Sequence, residues 1–368
     1  MTASPARLPV SVVIPVHDRA ELLPRAVRSA LAQTAPPAEI IVVDDCSSDQ
    51  SGAVASALGC VVLRHERNQG AAAARNTGVA QARHEWLALL DSDDEWLPHH
   101  LETVWLARSE HDLVTASALL LDHLDRPERV IGPPFWRRRI LESAGDLLYP
   151  ENPVVASGAL VRREAVQAVG GYDTTLRYSE DFDLWTRVLA RGTGCSLPEV
   201  TILIRAHSGR KSGHSVGPSQ AQRTVAQRVQ SETGQRSRAE LRLGVRAWDD
   251  LRRALSDHDL ARALNSCAAL LARPQRVVGV IGIWFWRRQM TRRARAFVTG
   301  GRQRVAVVST PPGSPLPTSD RLTVFEDWRT YGLFEMARRL LVAPPRAVVA
   351  TRRSVRLLAK LTMVPTAE

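Results

Sequence analysis

Three aspartates directly follow one of the short apolar runs of this chain. The run Trp86–Leu90 is short and apolar enough to form a strand buried on both faces, and Asp91, Ser92, Asp93 and Asp94 come next. Open α/β sheets bind ligands at the carboxyl ends of such strands. Three neighbouring carboxylates repel one another unless a cation is present, and hard oxygen ligands suit Mg²⁺ or Mn²⁺. The same acidic residues could instead cap a helix that begins near Pro98, and the run alone leaves both interpretations open.

Two further acidic pairs have a comparable setting. Asp44-Asp45 follows the apolar run Ile40–Val43, and Glu180-Asp181 follows Ser179, a residue that can cap a helix. The first pair and the aspartate cluster come at strand ends of one sheet, so they can share a crevice. One group could bind a ribose or base, one a metal-bound diphosphate, and one could act as a general base. Glu180 and Asp181 equally suit the first turn of a helix, where the helix dipole favours anions.

The elements that must hold these residues alternate between strand and helix. Apolar runs predict strands at 11–16, 40–43, 60–63 and 86–90. Helical spacing predicts a first helix with an apolar face, a second helix through Leu58 and an Ala-rich third helix from Ala71 to Ala82. The apolar face of the first helix comprises Leu22, Leu23, Ala26, Val27, Ala30 and Leu31. This alternation implies right-handed crossovers and an α/β fold whose mainly parallel sheet has helices on both faces.

The next hundred residues are less regular. The pattern predicts in turn a helix over 98–110, a strand at 113–121, a loop-rich insert at 122–153, a strand at 157–161, a short helix to Val169, a turn at Gly170-Gly171, a helix over 180–190 capped by Ser179, and one or two short strands at 195–204. The insert and the residues after 205 show no clear pattern.

Charge is spread unevenly and divides the chain near residue 217. Residues 1–217 hold 22 basic and 27 acidic residues, whereas residues 218–368 hold 27 basic and 11 acidic residues. We therefore expect a catalytic domain over 1–217 and a basic, mostly helical region over 218–368. Such an excess of arginine predicts either an anionic partner, such as a membrane surface or nucleic acid, or only a solvated helical surface.

The cysteines and the N-terminus indicate the compartment. Cys46, Cys60, Cys195 and Cys267 form no CxxC pair, which argues against zinc and disulfide frameworks and fits a reducing environment. Residues 1–9 contain no apolar core of a signal peptide, and no window reaches the roughly 18 apolar residues of a spanning helix. We expect a cytoplasmic protein that could lie on a membrane.

In combination and order, six motifs of this chain resemble glycosyltransferase family 2, whose members have the nucleotide-sugar-binding GT-A fold. The motifs are Val13–Arg19, Val43–Asp49, Asn68–Gly78, Leu89–Asp94, Gly170–Asp173 and Glu180–Arg187. The resemblance covers about residues 10–205 and implies a GT-A, Rossmann-like sheet. Two features depart from the family pattern: Asp18 stands where the family usually has Asn, and the stretch His207–His214 has no close match.

The resemblance implies a role for each motif residue. It implies that Asp45 accepts a hydrogen bond from the nucleotide base, with Pro15 and His17 flanking that base. Arg75 would approach the diphosphate or base, Asp91 would lie by the ribose and the metal, and Ser92 would lie beside the nucleotide-sugar. Asp93 would bind Mg²⁺ or Mn²⁺, and His207 could complete the metal shell. Asp181 would be the general base of a single displacement that inverts the anomeric configuration. Two alternatives stay open, a helix-surface role for Arg75 and a plain loop position for His207.

The family implies an inverting glycosyltransferase that moves a sugar, UDP- or dTDP-linked, to an acceptor hydroxyl in cell-envelope, polysaccharide or other glycan biosynthesis. The alternative is a non-catalytic relative that binds nucleotide-sugars or acts as a scaffold, although such a relative is expected to lose Asp93 or Asp181. A phosphatase or nucleotidyltransferase would need a lysine near phosphate, and Lys211 and Lys360 are the only lysines. Expected partners are the donor, a glycan or lipid-linked acceptor and an anionic membrane surface, with no nucleic acid.

An apolar segment in the basic region points to the membrane surface. Val277–Trp286 is too short to span a bilayer, and its Trp and Phe residues suit the headgroup boundary. Seven arginines lie between residues 273 and 295, and they suit anionic lipid. The segment could equally be a core element that packs on the catalytic domain or a second subunit. The first interpretation predicts a protein peripheral to the inner face of the cell membrane.

Overall fold

A computed structural model of the chain describes residues 7–122, 124–133, 138–147, 152–205, 224–225, 227–229, 236–257, 259–272, 275–277, 279–282 and 284. The alternating first part is confirmed: β1 (Leu8–Val16), α1 (Leu23–Leu31), β2 (Pro37–Asp44), α2 (Ser51–Ala57), β3 (Val61–Arg64), α3 (Ala71–Gln81) and β4 (Trp86–Leu89). The apolar face predicted for α1 is buried at Leu23, Ala26, Val27 and Ala30, whereas Leu31 is exposed.

The second part contains more strands than the pattern predicts. Its elements are β5 (Glu95–Trp96), α4 (His100–Leu106), β6 (Leu113–Leu121), β7 (Pro127–Ile131), β8 (Arg139–Leu141), β9 (Ala159–Arg162), α5 (Arg163–Ala168), α6 (Glu180–Leu189) and β10 (Gly194–Arg205). The insert predicted as loop therefore holds two short strands, whose formation depends on pairing with β6 and β10. β10 is one strand, whose register against β6 shifts between Ser196 and Val200 and again between Val200 and Ile202.

The described strands form one sheet in the order β3-β2-β1-β4-β9-β6-β10-β5, with β7 beside β6 and β8 beside β10. The predicted parallel pairing is confirmed for β3-β2-β1-β4 and also joins β6 to β10. The rest of the sheet is antiparallel, because β9 runs against both β4 and β6 and the short strands β5, β7 and β8 run against their partners. The α/β class is confirmed, with a mixed sheet.

Side-chain alternation along β1 divides the core into two layers. Val12 and Ile14 pack on one face of the sheet with residues of α1 and α4, and Val13 packs on the other face with residues of α3 and α6. Because both faces of the central strands are covered, those strands can be apolar throughout. Helices on both faces are thus confirmed. They cover the faces of the sheet, so a ligand-binding site is expected at the carboxyl ends of the strands.

Part of the basic region is also described. The predicted helical character between residues 220 and 273 is confirmed at α7 (Arg236–Ser256) and α8 (Leu260–Leu271), which pack together through Leu251, Ala254 and Ala263. The expected domain boundary at residue 217 lies outside the described residues. Among the described helices, none combines the length and the apolar character that crossing a bilayer requires.

Candidate active site

The first parallel strands end beside one another at a point where the strand order reverses. From β1 the chain adds β2 and β3 on one side, and β4 then returns to the other side. The Asp45 amide donates to the Val16 carbonyl at 2.8 Å, and the Leu90 amide donates to the Val13 carbonyl at 3.1 Å. The residues after β1, β2 and β4 therefore border one crevice, which is where open α/β sheets bind ligands.

The aspartate cluster after β4 is compact. One carboxylate oxygen from each of Asp91, Asp93 and Asp94 lies within 4.8 Å of the others. The Asp94 amide donates to the Asp91 carbonyl at 3.2 Å, so the backbone turns there and brings the side chains together. Three converging carboxylates fit a hard divalent cation such as Mg²⁺ or Mn²⁺. The resemblance implies the metal role for Asp93, and the structure brings Asp91 and Asp94 of the same acidic run beside it.

Two residues outside the predicted set hold the first aspartate in place. The Asp91 amide donates to Ser157 Oγ at 3.0 Å, and the Trp96 indole donates to the Ser157 carbonyl at 2.5 Å. Ser157 precedes β9, which pairs with β4, so the position of the cluster depends on a strand added later in the chain. Ser92 is buried within the turn.

Arg75 joins the two ends of the candidate site. Its side chain donates to Asp91 Oδ1 at 2.6 Å and to Glu180 Oε1 at 2.9 Å, and its guanidinium carbon lies 5.4 Å from the centre of the Tyr172 ring. The residue is 5% exposed, which excludes the helix-surface alternative. Burial alone would lower the pKa of Arg75, but the charge of Asp91, the Tyr172 hydroxyl and Glu180 together raise it. Arg75 is therefore a permanent cation between two acidic groups.

The predicted general base lies at the start of α6, next to Arg75's partner Glu180. Burial, followed by the charge of Glu180, raises the pKa of Asp181 to about 6, although Arg75 and the Phe182 amide oppose that rise. A carboxylate with such a pKa is a better proton acceptor than an ordinary aspartate and is still ionised at neutral pH. The predicted cap is wrong in detail, because Ser179 has a φ of 61° and its hydroxyl makes no capping bond.

The Asp45 carboxylate accepts most of its hydrogen bonds from groups within the protein. Its Oδ1 accepts from His65 Nδ1 at 2.7 Å and from the Gln69 amide at 2.9 Å, and its Oδ2 accepts from the Gly70 amide at 2.7 Å. A carboxylate offers about four acceptor positions. These three bonds hold the loop that leads into α3, and they leave one position on Oδ2 for a further donor. The loop borders a surface depression of about 570 Å³ lined by Arg64, His65, Glu66, Arg67 and Gln69.

The remaining predicted residues are divided between the crevice and the undescribed part of the chain. Pro15 is buried near the end of β1, and His17 is exposed directly after it. Asp18 Oδ1 accepts from the Ser48 amide at 2.7 Å, which lowers the pKa of Asp18 and links the loops after β1 and β2. His207 lies outside the described residues. The structure thus brings the predicted site residues that it describes to one edge of the sheet.

Parts of this chain are similar to known proteins. The family model described as Glycosyl transferase family 2 matches residues 11–170. The chain is 30% identical to the succinoglycan biosynthesis protein ExoO of Rhizobium meliloti and 32% identical to ExoU of the same organism. The ExoO match covers 51% of this chain and 58% of the relative, and the ExoU match covers 52% and 60%. The chain thus spans about 60% of the length of these curated relatives.

A solved structure shows the same fold. Residues 1–349 of TarS from S. aureus, in complex with UDP, match with a TM-score of 0.54 and 15% identity, covering 80% of this chain and 93% of that one. The same part of TarS in complex with UDP-GlcNAc matches with a TM-score of 0.50 and 17% identity, covering 77% and 81%. At this identity the likeness concerns the fold alone.

Proposed function

Residues 11–170 belong to glycosyl transferase family 2, and from this premise we propose that the chain transfers a sugar from a nucleotide-sugar to an acceptor hydroxyl with inversion. The observation that carries the proposal is the position of Arg75, which binds Asp91 of the aspartate cluster and Glu180 beside Asp181. Through Arg75, the aspartate cluster and Asp181 share one crevice. The cluster suits a diphosphate and its cation, and Asp181 suits a proton. TarS was solved with UDP-GlcNAc, which supports a nucleotide-sugar donor, and we propose that this donor is UDP- or dTDP-linked.

The donor side of the site is proposed as follows. Asp91, Asp93 and Asp94 would hold Mg²⁺ or Mn²⁺, with His207 as a further ligand. When bound, this cation neutralises charge on the diphosphate and so makes the nucleotide a better leaving group. Asp45 has one acceptor position left for a base N–H, which a uracil or thymine supplies.

The other donor contacts follow from the borders of the crevice. Pro15 and His17 would flank the base, and Ser92 would lie by the nucleotide-sugar. Because Arg75 already binds two carboxylates, we propose that its main role is to hold Asp91 and Glu180 in position. It would approach the diphosphate from the side on which these carboxylates lie.

The acceptor side depends on Asp181. Its carboxylate takes the proton from the acceptor hydroxyl while that oxygen forms a bond to the anomeric carbon and the bond to the diphosphate oxygen breaks. One such displacement inverts the configuration at that carbon. The pKa of about 6 suits this step, because Asp181 is mostly ionised at neutral pH and still accepts a proton readily.

The names of the curated relatives support a role in polysaccharide biosynthesis, with a glycan or lipid-linked acceptor. We further propose that residues 1–217 form the catalytic domain and that the basic region 218–368 places it at the inner face of the cell membrane. The outward face of α8 supports this placement, since Leu260, Leu264 and Leu271 are all exposed.

A transfer assay tests the proposed reaction. Purified full-length protein with Mn²⁺ is given UDP- and dTDP-sugars, and nucleotide release is measured with and without glycan or lipid-linked acceptors. We expect release with at least one donor, and loss of that release in Asp181→Asn. NMR of the product should show an anomeric configuration opposite to that of the donor. Donor binding without any turnover would support the scaffold alternative, and a retained configuration would refute the single displacement.

A further inference from the structure

The helix that begins with the proposed base contains a second, deeply buried carboxylate. Asp183 lies two residues after Asp181 in α6 and is 0% exposed. Its Oδ2 accepts two hydrogen bonds from Arg187, from Nε at 2.9 Å and from the terminal nitrogen at 2.6 Å. A buried carboxylate is costly unless its charge and both its oxygens are matched. Arg187 matches one of the two oxygens.

The other oxygen faces a cation from a distant part of the chain. Arg228 forms an ion pair with Asp183 Oδ1. Its neighbours Val225 and Val229 are buried in the same hydrophobic cluster as Phe182 and Trp185 of α6. The described residues 224–225 and 227–229 are therefore part of the packing around α6, although they follow the last strand of the sheet.

The Asp183 cluster also reaches the turn before α6. Arg187 donates to the Val169 carbonyl at 2.6 Å, and the Gly170-Gly171 turn follows directly. The next residue is Tyr172, whose ring lies beside the Arg75 guanidinium. Asp183 thus connects the segment around Arg228 to two parts of the candidate site, the first turn of α6 and the ring beside Arg75.

We propose that Arg228 is a positioning residue for the transfer step: by pairing with Asp183 it holds α6 in the position that presents Asp181 to the acceptor. The physical reason is the buried charge of Asp183. Without Arg228, one oxygen of that carboxylate loses its charged partner, and α6 can relieve the loss by moving toward water. A small shift of α6 would move Asp181 more than the donor-binding aspartates, which follow β4. The kinetic part of this inference rests on the proposed function.

The test compares Arg228→Gln with a matched control, Gln227→Ala, whose side chain is exposed in the same segment. We expect Arg228→Gln to lower kcat about tenfold or more while the donor KM stays within about twofold, because Asp181 moves with α6 whereas Asp91, Asp93 and Asp94 follow β4. Arg228→Lys keeps the charge but not the planar fork, so it should recover part of kcat. Gln227→Ala should behave as the wild type.

A second readout does not depend on activity. Hydrogen exchange followed by mass spectrometry should show faster exchange across Glu180–Leu189 in Arg228→Gln than in Gln227→Ala. Wild-type kcat and exchange in Arg228→Gln would overturn the inference, as would equal losses of kcat and donor affinity. If Arg228→Gln does not fold, Arg228→Lys decides in the same way. If the wild type transfers no sugar at all, the proposed function fails, and the exchange comparison still shows whether Arg228 holds α6.

Discussion

At the residue scale, the reactivity of Asp181 is set by its neighbours. Burial and the Glu180 charge raise its pKa to about 6, and Arg75 limits the rise. Glu180 is itself bound to Arg75, which also holds Asp91. Arg75 therefore lies between the two acidic ends of the crevice, and removing the charge of Glu180 or of Arg75 should change the proton affinity of Asp181.

The first prediction concerns the pH dependence of transfer. Because Asp181 must be ionised to accept a proton, kcat/KM of the wild type should rise with pH through about 6. Glu180→Gln removes a negative charge that raises the pKa of Asp181, so the acidic limb of the profile of kcat/KM against pH should move to lower pH. A pH-rate profile of both proteins checks this. A limb that stays in place, or moves upward, would contradict the assignment of Asp181 as the base.

The same carboxylate should cost stability at neutral pH. Its pKa is raised in the folded state to about 6 from about 3.9 in the unfolded chain, so the folded state favours the protonated form. Any stability linked to that proton is present below pH 4 and lost as pH rises through 6. Asp181→Asn should therefore abolish turnover, keep donor binding and raise the free energy of unfolding at pH 8, on the order of 1 kcal/mol. Thermal unfolding at pH 8 and pH 4 checks the difference.

The second prediction concerns the aspartate cluster. Asp93→Asn removes one of three converging carboxylates, so Mn²⁺-dependent UDP binding should weaken about tenfold or more. Calorimetry with UDP and Mn²⁺ measures the change. Glu85→Gln is a matched control, since it removes one negative charge at the opposite end of β4, where the side chain is exposed. Equal affinities in the wild type and Asp93→Asn would refute the cation site.

At the element scale, α3 shows how close packing overrides helix propensity. Gly78 lies inside this helix, and a Cβ placed there would overlap the side chain of Val13 in β1. Glycine lets α3 approach the central strand, and this approach holds Arg75 over the crevice. The helix therefore contains a residue of poor helix propensity because the sheet requires it.

The third prediction follows from that contact. Gly78→Ala should lower the free energy of unfolding by about 1–3 kcal/mol, although alanine favours helix, because Val13 is fully buried and cannot move aside. Thermal or urea unfolding measures the loss. The double variant Gly78→Ala/Val13→Ala makes room for the new methyl group, so it should lose less than the sum of the single changes. Additive losses would show that the overlap is not the cause.

At the scale of the whole molecule, charge and apolar surface coincide in the basic region. The exposed face of α8 contains Leu260, Leu264 and Leu271, and Trp284 is exposed beyond it. Residues 273–295 add seven arginines and no acidic residue. An apolar face flanked by arginines suits the boundary of an anionic bilayer.

The fourth prediction tests that placement. Full-length protein should sediment with anionic vesicles at low salt, and Leu264→Gln/Leu271→Gln should weaken binding at least tenfold, because each leucine contributes about 1.5 kcal/mol or more when it leaves water. Leu106→Gln, at an exposed leucine of α4, is the matched control. A wild type that stays in the supernatant, or a double variant that sediments as well as the wild type, would refute the membrane surface.

The sequence by itself determined the α/β alternation and the acidic strand ends, and its resemblance to glycosyltransferase family 2 agrees with the family model that matches residues 11–170. These features are local, because apolar runs such as Trp86–Leu90 and the aspartates that follow them are consecutive in the sequence. Their relative positions therefore do not depend on contacts with distant parts of the chain. The roles assigned to Asp45, Asp93 and Asp181 stay predictions that the proposed experiments test. The positions of β5, β7 and β8 were missed, because such short strands form only where a neighbouring strand supplies partners.

The tertiary structure alone decided how the chemistry is assembled. Arg75 binds Glu180 across 105 residues of chain, Ser157 holds the Asp91 amide across 66, and Arg228 meets Asp183 from beyond the last strand. No spacing in the sequence indicates these contacts, because their partners come from elements that are distant in the sequence and meet only in the folded chain. The partner of a buried charge is the oppositely charged group that the packed elements bring close to it, so the pair is defined only in the folded chain.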